Sequence, residues 1–225
     1  MRDMCSTPHL PAARPGPCQP IHRDPIPVIQ TRAWAQAGAL TLRAIRPQDE
    51  ALLADLLNNL SPLARRNRFH GAIKVSPAQL RQMSCVDHRR HLALVVTAQV
   101  SGAEQLIADA RYCIDDDGHS AEFALVVAER WQRLGIGAWA MQSLEDAAAA
   151  AGIDWLNGEV LQANAPMLGL SEHCGFALCP HPEDEQIVRA QRRLSRQARP
   201  APRARRGVRA WLQQAWLGRA LAAVG

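Results

Sequence analysis

The sequence is poor in phenolic side chains and in lysine. Tyr112 is its only tyrosine and Lys74 its only lysine, among 225 residues. One tyrosine leaves little choice of a phenolic acid for catalysis. One lysine means that arginine supplies nearly all the positive charge. No run of 18 apolar residues occurs, which argues against a membrane-spanning helix. The opening segment has no apolar h-region, so it does not read as a secretory signal. The six cysteines (Cys5, Cys18, Cys85, Cys113, Cys174 and Cys179) contain no C-x-x-C pair. Without a secretory signal they read as reduced thiols of a cytoplasmic protein.

The net charge of +5 is unevenly placed. Arg189, Arg192, Arg193, Arg196, Arg199, Arg203, Arg205, Arg206, Arg209 and Arg219 crowd the last part of the chain, and the rest, with 16 Lys and Arg against 21 Asp and Glu, is net acidic. Composition divides the chain into four. Residues 1–27 hold seven of the fifteen prolines and little apolar periodicity, and read as disordered. Residues 28–194 form one domain of ordinary size. Residues 195–207 are an Arg/Pro-rich linker. Residues 208–225 read as an amphipathic helix with Val208, Trp211, Leu212, Ala215, Trp216 and Leu221 on its apolar face. Arginines leading into a Trp-rich face suit an anionic membrane surface, with the protein peripheral there. Docking on the domain, on a second subunit or on a partner protein, or a plain tail, is the other reading, and nucleic acid is the least favoured.

Within the domain, residues 28–34 and 39–45 read as a hairpin around Gly38. Pro47 opens a helix whose apolar face is Leu52, Leu53, Leu56, Leu57 and Leu60. Ser76-Pro77-Ala78-Gln79 combines an N-cap with proline at the first helical position. Residues 91–100, 104–113 and 119–128 read as three strands, the last two joined at Asp115-Asp116-Asp117-Gly118. A long alanine-rich helix spans about 134–151 and stops at Gly152. A strand follows at 154–161, then a helix at 166–174 and strands at 176–179 and 187–194.

The most informative stretch is Ala121-Glu122-Phe123-Ala124-Leu125-Val126-Val127 followed by Gln132-Arg133-Leu134-Gly135-Ile136-Gly137. A strand leads to a glycine turn that opens the long helix. Such a turn offers unpaired backbone N–H groups and the positive end of the helix dipole, a seat for phosphate or pyrophosphate. Gly135-x-Gly137-x-x-Ala140 also satisfies the dinucleotide fingerprint. In that fold the first glycine follows the strand almost directly, whereas here residues 128–134 intervene. A tight turn with no ligand is the third reading. His173-Cys174 and Cys179-Pro180-His181 fit no standard zinc spacing, so no metal is expected.

Gln132, Gly135 and Gly137 also match, in order, an acetyl-coenzyme A signature, [RQ]-x-x-G-x-[GA]. Downstream come Asn164-Ala165-Pro166-Met167 and Gly175-Phe176. Upstream are Leu42-Arg43-Ala44-Ile45-Arg46-Pro47-Gln48-Asp49-Glu50, Leu60-Ser61-Pro62 and Arg68-Phe69-His70-Gly71. Taken in this order the chain resembles the GNAT superfamily of N-acetyltransferases over residues 28–194. The upstream motifs resemble one branch of it, the bacterial protein-lysine acetyltransferases and the acetyltransferase domains fused to ADP-forming acyl-CoA synthetases.

The resemblance implies an α/β (α+β) fold, a mixed and mostly antiparallel sheet flanked by helices. It implies an enzyme that moves an acetyl group from acetyl-CoA to an amine: a protein lysine, or alternatively a small amine or polyamine. A non-catalytic CoA-binding protein is the rival. Glu122 is the implied general base, with Glu159 in reserve. The implied cofactor-binding residues are Leu125, Val126 and Val127 on the strand, Gln132, Arg133, Leu134, Gly135, Ile136, Gly137 and Ala138 in the turn, and Asn164 and Met167 beyond. Plain helix capping explains Asn164 equally well. Where many relatives carry a tyrosine acid this chain has Ser171, so the general acid is unassigned. His70 and His88 fall in segments that shape the acceptor cleft in relatives, although surface or capping roles suit them better.

Overall fold

A computed structural model of the chain describes residues 28–35, 38–71 and 74–194. The segments 1–27 and 195–225, expected as a disordered leader and as a linker with an amphipathic helix, lie outside the described residues. Among the described residues eight strands form one mixed sheet in the order β1-β2-β3-β4-β5-β6-β8-β7. They are β1 Val28–Trp34, β2 Gly38–Ala44, β3 His91–Val100, β4 Ala103–Ile114, β5 Ser120–Val127, β6 Trp155–Leu161, β7 Ala177–Pro180 and β8 Ile187–Arg193. All neighbours run antiparallel except β5 and β6.

The helices are α1 Glu50–Asn58, α2 Pro62–Phe69, α3 Pro77–Ser84, α4 Ile136–Ala150 and α5 Ala165–His173. Local chemistry explains their ends. Ser76 and Gln79 form a capping box at α3, with Pro77 in the first turn. Ser61 caps α2 by accepting the Ala64 N–H at 3.1 Å. Gly152 follows α4 with φ 82°, a left-handed value that suits glycine.

The apolar run of β3 is buried on both faces. Leu94, Val96 and Ala98 point to the core beneath α4, with Trp139, Met141 and Leu144. Ala93 and Val95 point to the opposite core, with Leu53, Leu56 and Leu57 of α1 and Met83 of α3. A strand covered twice reads as a continuous hydrophobic run. The period-two alternation then sorts β5: Phe123 joins the α4 core and Val126 the α1 core.

One expectation needs revision. The sequence reading placed no helix at Pro62–Phe69, where α2 lies. Among the described residues Cys113, Cys174 and Cys179 are free thiols.

Candidate active site

β5 and β6 pair only through Ser120, Ala121 and Glu122, opposite Trp155, Leu156 and Asn157. β5 stays on β4 much further, to Val127 opposite Ala108. Beyond Glu122 the two parallel strands therefore part, and a cleft of about 760 Å³ opens between them.

The ladder fixes which amides face the gap. The Ala128 N–H donates to the Ile107 carbonyl at 2.9 Å. In an antiparallel ladder the bonds alternate along the strand. Val126, two residues back, thus spends its N–H on β4, while the amides of Leu125 and Val127 turn towards the gap. The Val127 carbonyl accepts the Gln132 side chain at 2.9 Å, which ties the start of the turn to the strand end.

The turn ends at Gly135, the N-cap of α4, with φ 81°. The first main-chain bond into the helix is from the Trp139 N–H to the Gly135 carbonyl. The amides of Ile136, Gly137 and Ala138 precede it and have no helical acceptor. A Cβ on Gly137 would sit 3.1 Å from Leu170 Cδ2 and 3.6 Å from Val127 Cγ2, so glycine keeps this wall of the cleft open. Bare amides, the positive end of a helix and a missing side chain fit an extended phosphate-bearing ligand.

Most of the expected site residues meet in this cleft: Glu122, Leu125, Val126, Val127, Gln132, Arg133, Gly135, Gly137, Ala138, Asn164 and Met167, with the reserve Glu159. Leu134 and Ile136 do not line it. Ile136 is buried in the core under α4, and the Leu134 carbonyl accepts the Trp34 indole N–H at 2.6 Å. Asn164 caps α5 by accepting the Met167 N–H at 3.3 Å, so its capping role is realised at the edge of the cleft.

By alternation from Val126, Glu122 lies on the α1 face of the sheet, opposite the side that α4 covers. Burial first, and then the charges of Glu159 and Asp115, push its carboxyl up to about 7, against a smaller opposing pull from Arg68. A carboxyl that titrates there can take up a proton near neutral pH. Its neighbours are an acidic and imidazole-rich group. The His70 ring nitrogen Nε2 lies 3.1 Å from the Glu159 carbonyl oxygen. His181 Nε2 lies 3.3 Å from the Glu159 carboxylate. Burial holds His70 below the ordinary imidazole value, although Glu159 pulls the other way.

Sequence reasoning missed the charged floor beneath Glu122. Asp109 is wholly buried on β4 and accepts Arg111 at both oxygens, 2.7 and 3.0 Å. Arg68 of α2 reaches the same carboxylate at 3.4 Å. Burial pulls the Arg68 guanidinium down to about 10. Glu129 was also missed. It accepts the Ser61 N–H at 2.8 Å and so fastens the start of α2 to the loop after β5. The cap Ser61-Pro62 was the available signal for α2, and with it for Arg68.

The tyrosine question has a structural answer. Tyr112 is buried in the α4 core, and burial, then Asp87, pushes its phenol up to about 12. Ser171 is fully buried. Neither lines the cleft.

The sequence model of the family described as "Acetyltransferase (GNAT) family" matches residues 59–176. An acetyltransferase of Pseudomonas aeruginosa is 31% identical over 148 residues, covering 65% of this chain and 80% of that protein. The acetyltransferase Pat of Mycolicibacterium smegmatis is 30% identical over 155 residues; the match covers 67% of this chain but 44% of that longer protein. Among solved structures, the GNAT domain of S. lividans PAT superposes with a TM-score of 0.66 at 21% identity, covering 73% of this chain and 96% of that domain.

Proposed function

From the premise that the chain belongs to the GNAT family of acetyltransferases, we propose that it acetylates protein lysines with acetyl-CoA as donor. One observation carries the reading. A carboxyl that titrates near 7 and the open end of α4 lie on opposite faces of the sheet, and the parting of β5 from β6 joins them in one cleft.

The residues divide the work as follows. The amides of Gly137 and Ala138, which line the cleft, take the pyrophosphate. The amides of Leu125 and Val127 donate to the thioester carbonyl oxygen as negative charge builds on it, a contact worth about 3 kcal/mol in comparable sites. Glu122 takes the proton from the ammonium, directly or through one water. The freed amine attacks, the C–N bond forms, and the C–S bond breaks. The nitrogen of the new amide sheds its extra proton to solvent and the thiolate takes one up from solvent, since neither Tyr112 nor Ser171 reaches the cleft.

Support for lysine comes from the resemblance carried by Leu60-Ser61-Pro62 and Arg68-Phe69-His70-Gly71, of which Ser61, Arg68 and His70 line the cleft together with Glu122. Glu122 and Glu159 give that side a negative field suited to an ammonium group. A small amine is the second reading. It has a specific support, since a spermidine N-acetyltransferase of Vibrio cholerae shares the fold at a TM-score of 0.55 and 21% identity. The deciding experiment measures acetyl-CoA consumption with lysine peptides and folded proteins against spermidine and spermine. Turnover on polyamines with none on any lysine substrate would discard the lysine reading. No thioester consumption with any amine would discard the enzyme.

The reading extends to the tail. The Arg-rich segment 195–225 is proposed to attach the enzyme to an anionic membrane surface, with a partner protein as the alternative.

A further inference from the structure

Gln30, Arg32 and Trp34 alternate along one face of β1. All three meet Trp139 of α4. Trp139 Nε1 donates to Gln30 Oε1 at 2.5 Å. The Arg32 guanidinium lies 5.1 Å from the Trp139 ring centroid. The Trp34 and Trp139 ring centroids are 5.1 Å apart, with planes inclined at 32°. This edge of the sheet is thereby clasped onto the helix whose first turn faces the cleft.

Trp34 makes one contact of a different kind. Its indole N–H donates to the Leu134 carbonyl at 2.6 Å, between residues 100 apart in sequence. Leu134 sits between two left-handed residues, Arg133 at φ 60° and Gly135 at φ 81°. For a non-glycine residue such as Arg133 that conformation is costly unless the surroundings hold it. A Cβ on Gly135 would come within 3.8 Å of the Trp34 ring, so the indole also lies against the turn itself.

The bond has two consequences for the amides. The Leu134 carbonyl and the Gly135 N–H share one planar trans peptide and point in opposite directions. Holding the carbonyl on Trp34 therefore turns the Gly135 N–H away from it. The same carbonyl is also the one that a longer helix would offer to the Ala138 N–H. That bond is not made, since the first main-chain bond is from Trp139 to Gly135 and the Leu134 carbonyl is directed at the indole, so the Ala138 amide stays open.

We propose that Trp34 is a positioning residue for the donor. Its indole N–H fixes the Leu134 carbonyl and so aims the first-turn amides of α4 at the pyrophosphate of acetyl-CoA. The proposal rests on reading that turn as the pyrophosphate seat. It reaches further, since it assigns cofactor selectivity to a strand at the far edge of the sheet.

The test uses two donors with the same thioester, acetyl-CoA and S-acetylpantetheine, the second lacking the pyrophosphate. Trp34→Phe keeps an aromatic ring and removes the N–H. In the full chain it should lower kcat/KM for acetyl-CoA roughly tenfold, through KM, the scale of one lost hydrogen bond. The value for S-acetylpantetheine should not change. Equal losses with both donors would make Trp34 merely structural, and no loss with either would make the bond idle. Either result overturns the proposal. Trp34→His, which keeps a ring N–H, should retain more of the preference for acetyl-CoA than Trp34→Phe. It also serves as the second variant should the Phe form not fold, with an equal loss on both donors again overturning the proposal. If the unaltered enzyme already uses the two donors equally, the turn is not the pyrophosphate seat. That failure is visible before any variant is made.

Discussion

Glu122 of β5 and Asn157 of β6 are the last residues that these parallel strands hold in register. The carboxylate thus stands at the point where the sheet opens. Up to that point strand pairing shields it from water; beyond it the cleft begins. Partial desolvation beside a reacting space is the arrangement that raises a carboxyl pKa and gives the raised value a use.

Glu122→Gln tests the base. The ordinary glutamate value in an unfolded chain is about 4.3, against about 7 in the fold. The folded state binds this proton more tightly, so folding stability from this group falls as pH rises through that window. The cost, on the order of 3 kcal/mol, is fully present above pH 7. Glu122→Gln should flatten the dependence of Tm on pH between about 4 and 7. Wild-type kcat/KM should rise with pH through about 7, because only the deprotonated carboxyl can accept a proton. The variant should lose roughly 10²–10⁴-fold in kcat with CoA affinity nearly intact. Full activity in Glu122→Gln would shift the role to Glu159, 40% exposed at the mouth of the cleft.

Much of this was legible beforehand, and the physical reasons differ by element. Ser76-Pro77 and Gly152 mark helix ends through short-range chemistry, and the structure places α3 and the end of α4 there. The apolar runs of β3 and β5 announce buried strands. α2 escaped because Pro62–Phe69 carries three arginines and no clean apolar stripe. Its arginine at 68 is buried by a tertiary partner, Asp109, which lies 41 residues away. The turn amides of α4 were readable from Gly135 and Gly137. The clasp from Trp34 was not, since no periodicity links positions 100 apart. The parting of β5 from β6 is a loss of pairing, and residue type does not report it.

Gly137→Asp tests the donor site. Its Cβ would crowd Leu170 and Val127 inside the cleft, and its charge would oppose the pyrophosphate. Acetyl-CoA should bind more weakly by about tenfold or more, equivalent to at least 1.4 kcal/mol. The rise in Tm that acetyl-CoA gives the wild type by mass action should shrink accordingly. A variant with wild-type CoA affinity would place the pyrophosphate elsewhere.

Removal of residues 195–225 tests the tail. Leu194 is 7% exposed and its N–H donates to the Asp154 carbonyl at 2.9 Å, so the described domain is already fastened at that point. The truncated protein should keep its Tm and its acetyl-CoA affinity. It should lose binding to vesicles rich in anionic lipid, with each surface arginine worth about 1 kcal/mol. Added salt should weaken the intact protein in the same way. An insoluble truncation would mean that the tail covers core surface. Absence of vesicle binding by the intact protein at low salt would favour a partner protein.

Asp109→Asn tests the charged floor. Burial alone would raise the Asp109 carboxyl, but Arg111 and then Arg68 hold it below its ordinary value. Its contribution to stability is therefore present above the unfolded value of about 3.9 and is lost as pH falls through the folded one. At neutral pH the amide would leave two buried guanidiniums without their carboxylate, a loss of about 3–5 kcal/mol. The variant should also affect the chemistry. Arg68 already draws the Glu122 value down, and removing the negative charge paired with Arg68 strengthens that pull. The rise of kcat/KM with pH should therefore move to lower pH in whatever fraction remains folded. A variant that melts like the wild type would show that Arg111 and Arg68 are neutralised by other groups. A lowered Tm with an unmoved pH profile would show that the floor supports the fold and does not tune the base.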